Sequence, residues 1–118
     1  MLLAANLLIA IVALLHFYFL VLEMFLWDKP YGRRVFGMSK ERAAQSKSLA
    51  ANQGLYNGFL MAGLVWGLLA GEQAQAIKIF FLSCVIVAGL FGGLTANRKI
   101  LWVQGLPGVL ALVLVLLT

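Results

Sequence analysis

Seven side chains in this sequence can bind a ligand or move a proton from within apolar surroundings: His16, Glu23, Asn52, Gln53, Tyr56, Asn57 and Gln104. Glu23 is the sharpest of them. It lies in the last turns of an apolar run from Leu2 to Trp27, long enough to cross a bilayer. A charge at mid-membrane depth costs roughly 2.5–3.5 kcal/mol or more, so such residues face a bundle interior or a wet cavity. Cohesion between helices does not require an ionisable acid, so Glu23 is read as a site residue, with His16, Asn52 and Gln53 as its expected partners. His16 precedes it by seven residues, close to two helical turns, and points the same way. Their axial separation of about 10 Å is too long for a direct hydrogen bond. It suits two proton sites on one substrate, or a chain of waters.

The second polar group is the run Asn52-Gln53-Gly54-Leu55-Tyr56-Asn57. On a helix Asn52 and Tyr56 share one face at i, i+4, and Gln53 and Asn57 share another. The third is Gln104, followed by Gly105, Pro107 and Gly108. Such amides also serve as interhelical hydrogen-bonding groups, each worth about 0.6 kcal/mol on average. That alternative stays open for Asn52 and Gln53. Tyr56 also reads as a packing aromatic, and His16 alone as a satisfied buried histidine.

The elements that must position these groups follow from composition. The chain has 118 residues, 64% hydrophobic and 11% charged, against about 45–50% and about 25% in soluble domains. This is the composition of an integral membrane protein. Four stretches approach the roughly 20 apolar residues of a spanning helix: about 2–27, 49–70, 76–96 and 100–118. The last three are joined by very short links, which demand antiparallel neighbours. The fold class is therefore all-α: one domain, a four-helix transmembrane bundle of up-down topology. Lys29, Arg33, Arg34, Lys40, Arg42, Lys47, Arg98 and Lys99 fall in the first and third loops, against Lys78 alone near the second. Positive residues stay inside, so loops one and three are cytoplasmic and both termini face outward. Trp27 and Trp102 then sit at the cytoplasmic interface.

Depth brings the polar groups together. Glu23, the Asn52–Asn57 run and Gln104 all lie roughly 6–13 Å inside the cytoplasmic boundary at 1.5 Å per residue. The expected result is a polar pocket near the cytoplasmic face with His16 at its floor.

The remaining features read as structure. The apolar stretch of the first helix exceeds that of a secretory signal and lacks a basic n-region, so it is expected to remain as a span. The first loop, 28–48, is broken at Pro30 and Gly32. Ser39 is expected to cap a helix running into the second span, its basic face on anionic lipid. Lys78 is expected to extend its ammonium to the outer headgroups. Gly54/Gly58, Gly63/Gly67, Gly67/Gly71 and Gly89/Gly93 have the spacing that lets helix backbones approach closely. Pro107 predicts a kink beside Gln104. Cys84 is a packing residue, and Met24, Met38 and Met61 are packing rather than ligands. No metal site, cofactor motif or nucleophile motif is present, and the basic residues in short loops exclude nucleic acid as the partner.

Taken together, His16 to Trp27 (HFYFLVLEMFLW), Pro30, Gly32, Phe36-Gly37, Leu49 to Leu60 (LAANQGLYNGFL) and Gln104-Gly105 resemble the small bacterial membrane proteins grouped as domain of unknown function 1304. The resemblance covers nearly the whole chain. It implies four transmembrane helices in the bacterial cytoplasmic (inner) membrane, and it implies no activity.

Three functions fit these residues. In the first, the chain binds or transports a small molecule, with Glu23 exchanging a proton for a cationic or polar substrate and two chains forming the pathway. In the second, Glu23 and His16 are an acid–base pair acting on a lipophilic substrate that Asn52, Tyr56 and Gln104 orient. In the third, the chain packs through its glycine ridges as an accessory subunit of a larger complex.

Overall fold

Runs of Leu, Val, Ile and Ala interrupted by small residues every three or four positions fold as helices that pack along those small positions. The computed structural model describes residues 1–118 and is built that way, with helices and no strands. The helices are α1 (Leu2–Met24), α2 (Pro30–Phe36), α3 (Lys40–Leu69), α4 (Ala74–Thr95) and α5 (Leu106–Leu116), and a π-helical turn at Leu101–Gly105 leads into α5.

α1 and α4 are long and apolar enough to cross a membrane, judged by length and composition. α3 has 30 residues, but Asn52, Gln53 and Asn57 lower the hydropathy of its apolar half. The segment Leu101–Leu116 is apolar and shorter.

The chain forms two units, residues 1–14 with 60–118 and residues 15–59. The first has its own core of Ala5, Ile9, Val12, Ala13, Leu64, Leu82, Val85, Ala111 and Val115. Ala5, Ile9 and Val12 form one stripe of α1, and Leu82, Val85, Gly89 and Gly93 one stripe of α4. Glycine sets the closest approaches. A Cβ at Gly89 would stand 2.7 Å from the Gly105 nitrogen and 2.8 Å from its Cα. Gly93 meets Leu101, and Gly63 meets the Phe81 ring, just as tightly. Gly63, Gly67, Gly89 and Gly93 thus have intrachain partners, whereas a Cβ at Gly71 would meet nothing within 4 Å.

Residues 15–59 hold the end of α1, α2 and the start of α3. α1 ends at Met24, and Pro30 occupies the first turn of α2, where its missing N–H costs nothing. Gly32 is buried against the Leu26 carbonyl, which leaves no room for a Cβ. α2 closes on Gly37 at φ 62°, ψ 40°, the left-handed conformation glycine adopts freely. Ser39 then caps α3, its Oγ accepting from the Arg42 N–H at 3.1 Å. Pro30 and Gly32, which read from the sequence as helix breakers, lie within a short helix, and the helix expected from Ser39 onward is α3.

Candidate functional site

The end of α1 and the middle of α3 meet because Gly54 and Gly58 remove side chains from one edge of α3. A Cβ at Gly54 would lie 2.6 Å from Met24 Cγ, 3.1 Å from Glu23 Cβ and 3.3 Å from the Leu20 carbonyl oxygen, and one at Gly58 would lie 2.8 Å from Leu20 Cδ1. Asn57, three residues after Gly54, flanks that edge. Its Nδ2 donates to Glu23 Oε1 at 2.5 Å. Both residues are half-buried. A carboxylate accepts on both oxygens, and this bond engages one of them.

The partner of Glu23 is therefore Asn57, rather than His16, Asn52 or Gln53. The glycine edge decides this, because it turns residues 52 and 53 outward. Asn52, Gln53 and Tyr56 are exposed. Asn52 lines an open groove of about 620 Å³ with Met24, Ser48, Leu49, Ala51 and Leu55. Tyr56 packs beside Phe59, ring centroids 6.1 Å apart. His16 is fully buried, with its ring edge-on to Phe19 at 5.8 Å. Gln104 is buried within the π turn of the other unit.

At the end of the α1 helix the side chains lock the connection to α3. Trp27 Nε1 donates to Ser46 Oγ at 3.0 Å, and Ser46 Oγ donates to the Arg42 carbonyl at 2.8 Å. Trp27 packs against Phe36, ring centroids 4.7 Å apart and the planes tilted by 44°. Lys47 Nζ pairs with Asp28 Oδ2 at 3.1 Å, and that hydrogen bond holds the Asp28 carboxyl below its usual range. Further back, the phenol oxygens of Tyr18 and Tyr31 are 2.7 Å apart.

A second polar pair lies in the unit of residues 1–14 and 60–118. Lys78 is 5% exposed, and its Nζ donates to Asn6 Oδ1 at 2.7 Å. The ammonium does not extend outward as expected, because a neutral acceptor on α1 lies within reach. The depth comparison used for Glu23 identifies this pair when applied to the opposite end of the helices: Asn6 is near the start of α1 and Lys78 near the start of α4. No group of His, Cys, Asp and Glu side chains is arranged to hold a metal ion.

The family described as protein of unknown function (DUF1304) matches residues 10–116. The chain belongs to this family. It is also similar to the uncharacterized protein YpaA of Lactococcus lactis subsp. lactis (strain IL1403), with 37% identity over 106 residues covering 87% of this chain and 88% of that protein. No solved structure is significantly similar to it. The match includes His16, Glu23, Asn57 and Gln104 and leaves Asn6 outside.

Proposed function

We propose that the chain is a four-helix protein of the bacterial cytoplasmic membrane, both termini outward, that binds or transports a small molecule at Glu23. The membrane part of this reading is supported by what the helices expose. Leu3, Leu7, Ile11 and Leu14 on α1, Val87, Leu90, Phe91 and Leu94 on α4, and Val109, Leu110, Val113 and Leu116 on α5 are all open to the surroundings. A helix that is apolar all round belongs in a core or in lipid, and these faces have no protein over them. The bacterial relative and the eight-to-one distribution of basic residues support the cytoplasmic membrane and the orientation.

The observation that carries the ligand reading is the Asn57–Glu23 hydrogen bond, one residue along α1 from Met24, which lines the groove. One carboxylate oxygen is held by an amide, which fixes the head group and leaves the other oxygen to accept from a donor. An acid so placed attracts a cation or a donor-rich polar group. Asn52 and Gln53 on the same turns of α3 are the further polar contacts of the ligand, with Tyr56 as an aromatic surface for it. A homodimer is assigned as the transport unit. The enzymatic alternative asks His16 to present a proton to a substrate. Its burial against Phe19 favours binding over acid–base chemistry.

Two lipophilic cations, tetraphenylphosphonium and ethidium, serve as probes of the purified protein in lipid nanodiscs. Binding by the wild type that is lost in Glu23→Gln is the expected result. Equal binding by both proteins, or by neither, ends the cation reading.

A further inference from the structure

α2 is too short to stand alone, since isolated helices below about 12–15 residues are marginal in water. Its seven residues are nevertheless tied down at both faces. Gly32 sits on the Leu26 carbonyl. Tyr31 reaches back to Tyr18, whose phenol is within hydrogen-bond distance. Tyr18 is six residues before the end of α1, roughly 9 Å of helix. α2 therefore folds back along the end of α1 instead of projecting away from it.

This placement leaves three side chains of α2 partly exposed: Tyr31 is 44% exposed, Val35 45% and Phe36 40%. Beside them are two guanidinium groups. Arg34 lies over the Tyr31 ring, 5.7 Å from its centroid. Arg33 is half-buried, and its Nε is enclosed without a hydrogen-bond partner. A helix with exposed aromatic and aliphatic side chains next to arginines is built for the boundary between acyl chains and headgroups. Arginine is the residue best shaped to grip a phosphate oxygen pair.

We infer that α2 is an interfacial helix whose Arg33 and Arg34 hold the phosphate of an anionic phospholipid, with Tyr31, Val35 and Phe36 against its acyl chains. The inference rests on the membrane reading above. It differs from a general attraction of basic loops to lipid because it assigns the contact to two arginines on one folded-back helix and predicts selectivity for lipid class.

The test uses the full-length protein in detergent micelles doped with equal phosphatidylglycerol and phosphatidylcholine, with retained lipid read by native mass spectrometry. The wild type is expected to retain phosphatidylglycerol preferentially, and millimolar inorganic phosphate is expected to leave this unchanged. Arg34→Gln should lower the preference about fivefold, as expected for one cation removed at a charged membrane surface. Arg33→Gln should lower it at least as much, and circular dichroism reports whether each variant folds. If Arg33→Gln does not fold, the exposed Arg34 still decides the question. Equal retention of the two lipids overturns the inference, as does an unchanged preference in folded variants. Displacement of the lipid by inorganic phosphate also overturns it, by showing a free-phosphate site. Alkaline carbonate separates the two failures. A chain released from bacterial membranes by carbonate sinks the membrane reading itself, whereas a retained chain without lipid preference sinks only this inference.

Discussion

Asn57 and Glu23 are separated by 34 residues in the chain, and the amide of one donates to the carboxylate of the other at 2.5 Å. The pair exists because Gly54 lets the two helices close on each other at that level. It divides the roles of Glu23 in a way that mutagenesis can separate.

Glu23→Gln keeps an acceptor oxygen for Asn57 and removes only the charge. The variant should express, fold and melt close to wild type while losing cation binding. Glu23→Ala also removes the acceptor and leaves the half-buried Asn57 amide unpaired, at a cost on the order of 1–3 kcal/mol. Thermal melting in detergent checks the ordering. Equal loss of stability in both variants would mean that the charge itself is structural.

The glycine contacts predict unequal tolerance. At Gly54 the nearest atom to an added methyl is Met24 Cγ, part of a flexible side chain. At Gly89 the nearest atoms are the backbone of Gly105, which cannot move aside without shifting the turn. Gly89→Ala should therefore destabilise by about 1–3 kcal/mol, the usual cost of overpacking, and Gly54→Ala by less. Melting temperatures of the two variants, compared side by side, decide it; Gly54→Ala as the weaker protein would contradict this geometry.

Topology is open to a direct check. Gln45 is exposed on α3 between Lys40 and Lys47, in the stretch assigned to the cytoplasm. Gln45→Cys, introduced beside Cys84→Ala, should react with a membrane-impermeant maleimide only after cells are permeabilised. Labelling of intact cells would reverse the orientation.

The Asp28–Lys47 pair sets a pH dependence. The folded carboxyl titrates below its unfolded value, near 3.9, because Lys47 hydrogen-bonds its ionised form. The folded state thus binds fewer protons than the unfolded one in that range. The contribution is fully present above pH of about 4 and disappears as pH falls through the lower folded value. The pair is at the surface, so the effect is small and salt-screened. Unfolding of wild type and Asp28→Asn should differ above pH of about 4 and converge below it. A gap that persists in acid would assign the effect to something other than this ion pair.

Much of this arrangement is legible in the sequence. The Ser39 cap, the long helix it begins and the close approach at Gly89 and Gly93 come from local spacing, which the backbone obeys residue by residue. That Glu23 and Asn57 lie at one level comes from counting depth. The choice of Asn57 over its neighbours does not, because it depends on which edge of α3 carries the glycines that α1 packs against. Lys78 is legible only when Asn6, 72 residues away, is considered with it. α2 is hidden because Pro30 and Gly32 both read as breakers. The proline in fact starts a helix, and the glycine is there for the Leu26 carbonyl.

The π turn at Leu101–Gly105 also sets the rotational phase of α5. A turn closed by i→i+5 bonds holds one more residue than an α turn, so it offsets the next helix by roughly 100° relative to uninterrupted α-helix. With that offset, Gly108, Ala111 and Val115 face inward while Val109, Leu110 and Val113 face out. Were residues 101–105 to rewind as ordinary α-helix, α5 would roll and present its bulky side chains where Gly108 meets Val85 and Ile86. Gln104, inside the turn, would rotate with it. Deleting one residue from this turn is thus a way to restore plain helical winding without displacing α5, and comparing that deletion with the native chain would isolate what the extra residue contributes to the placement of Gln104.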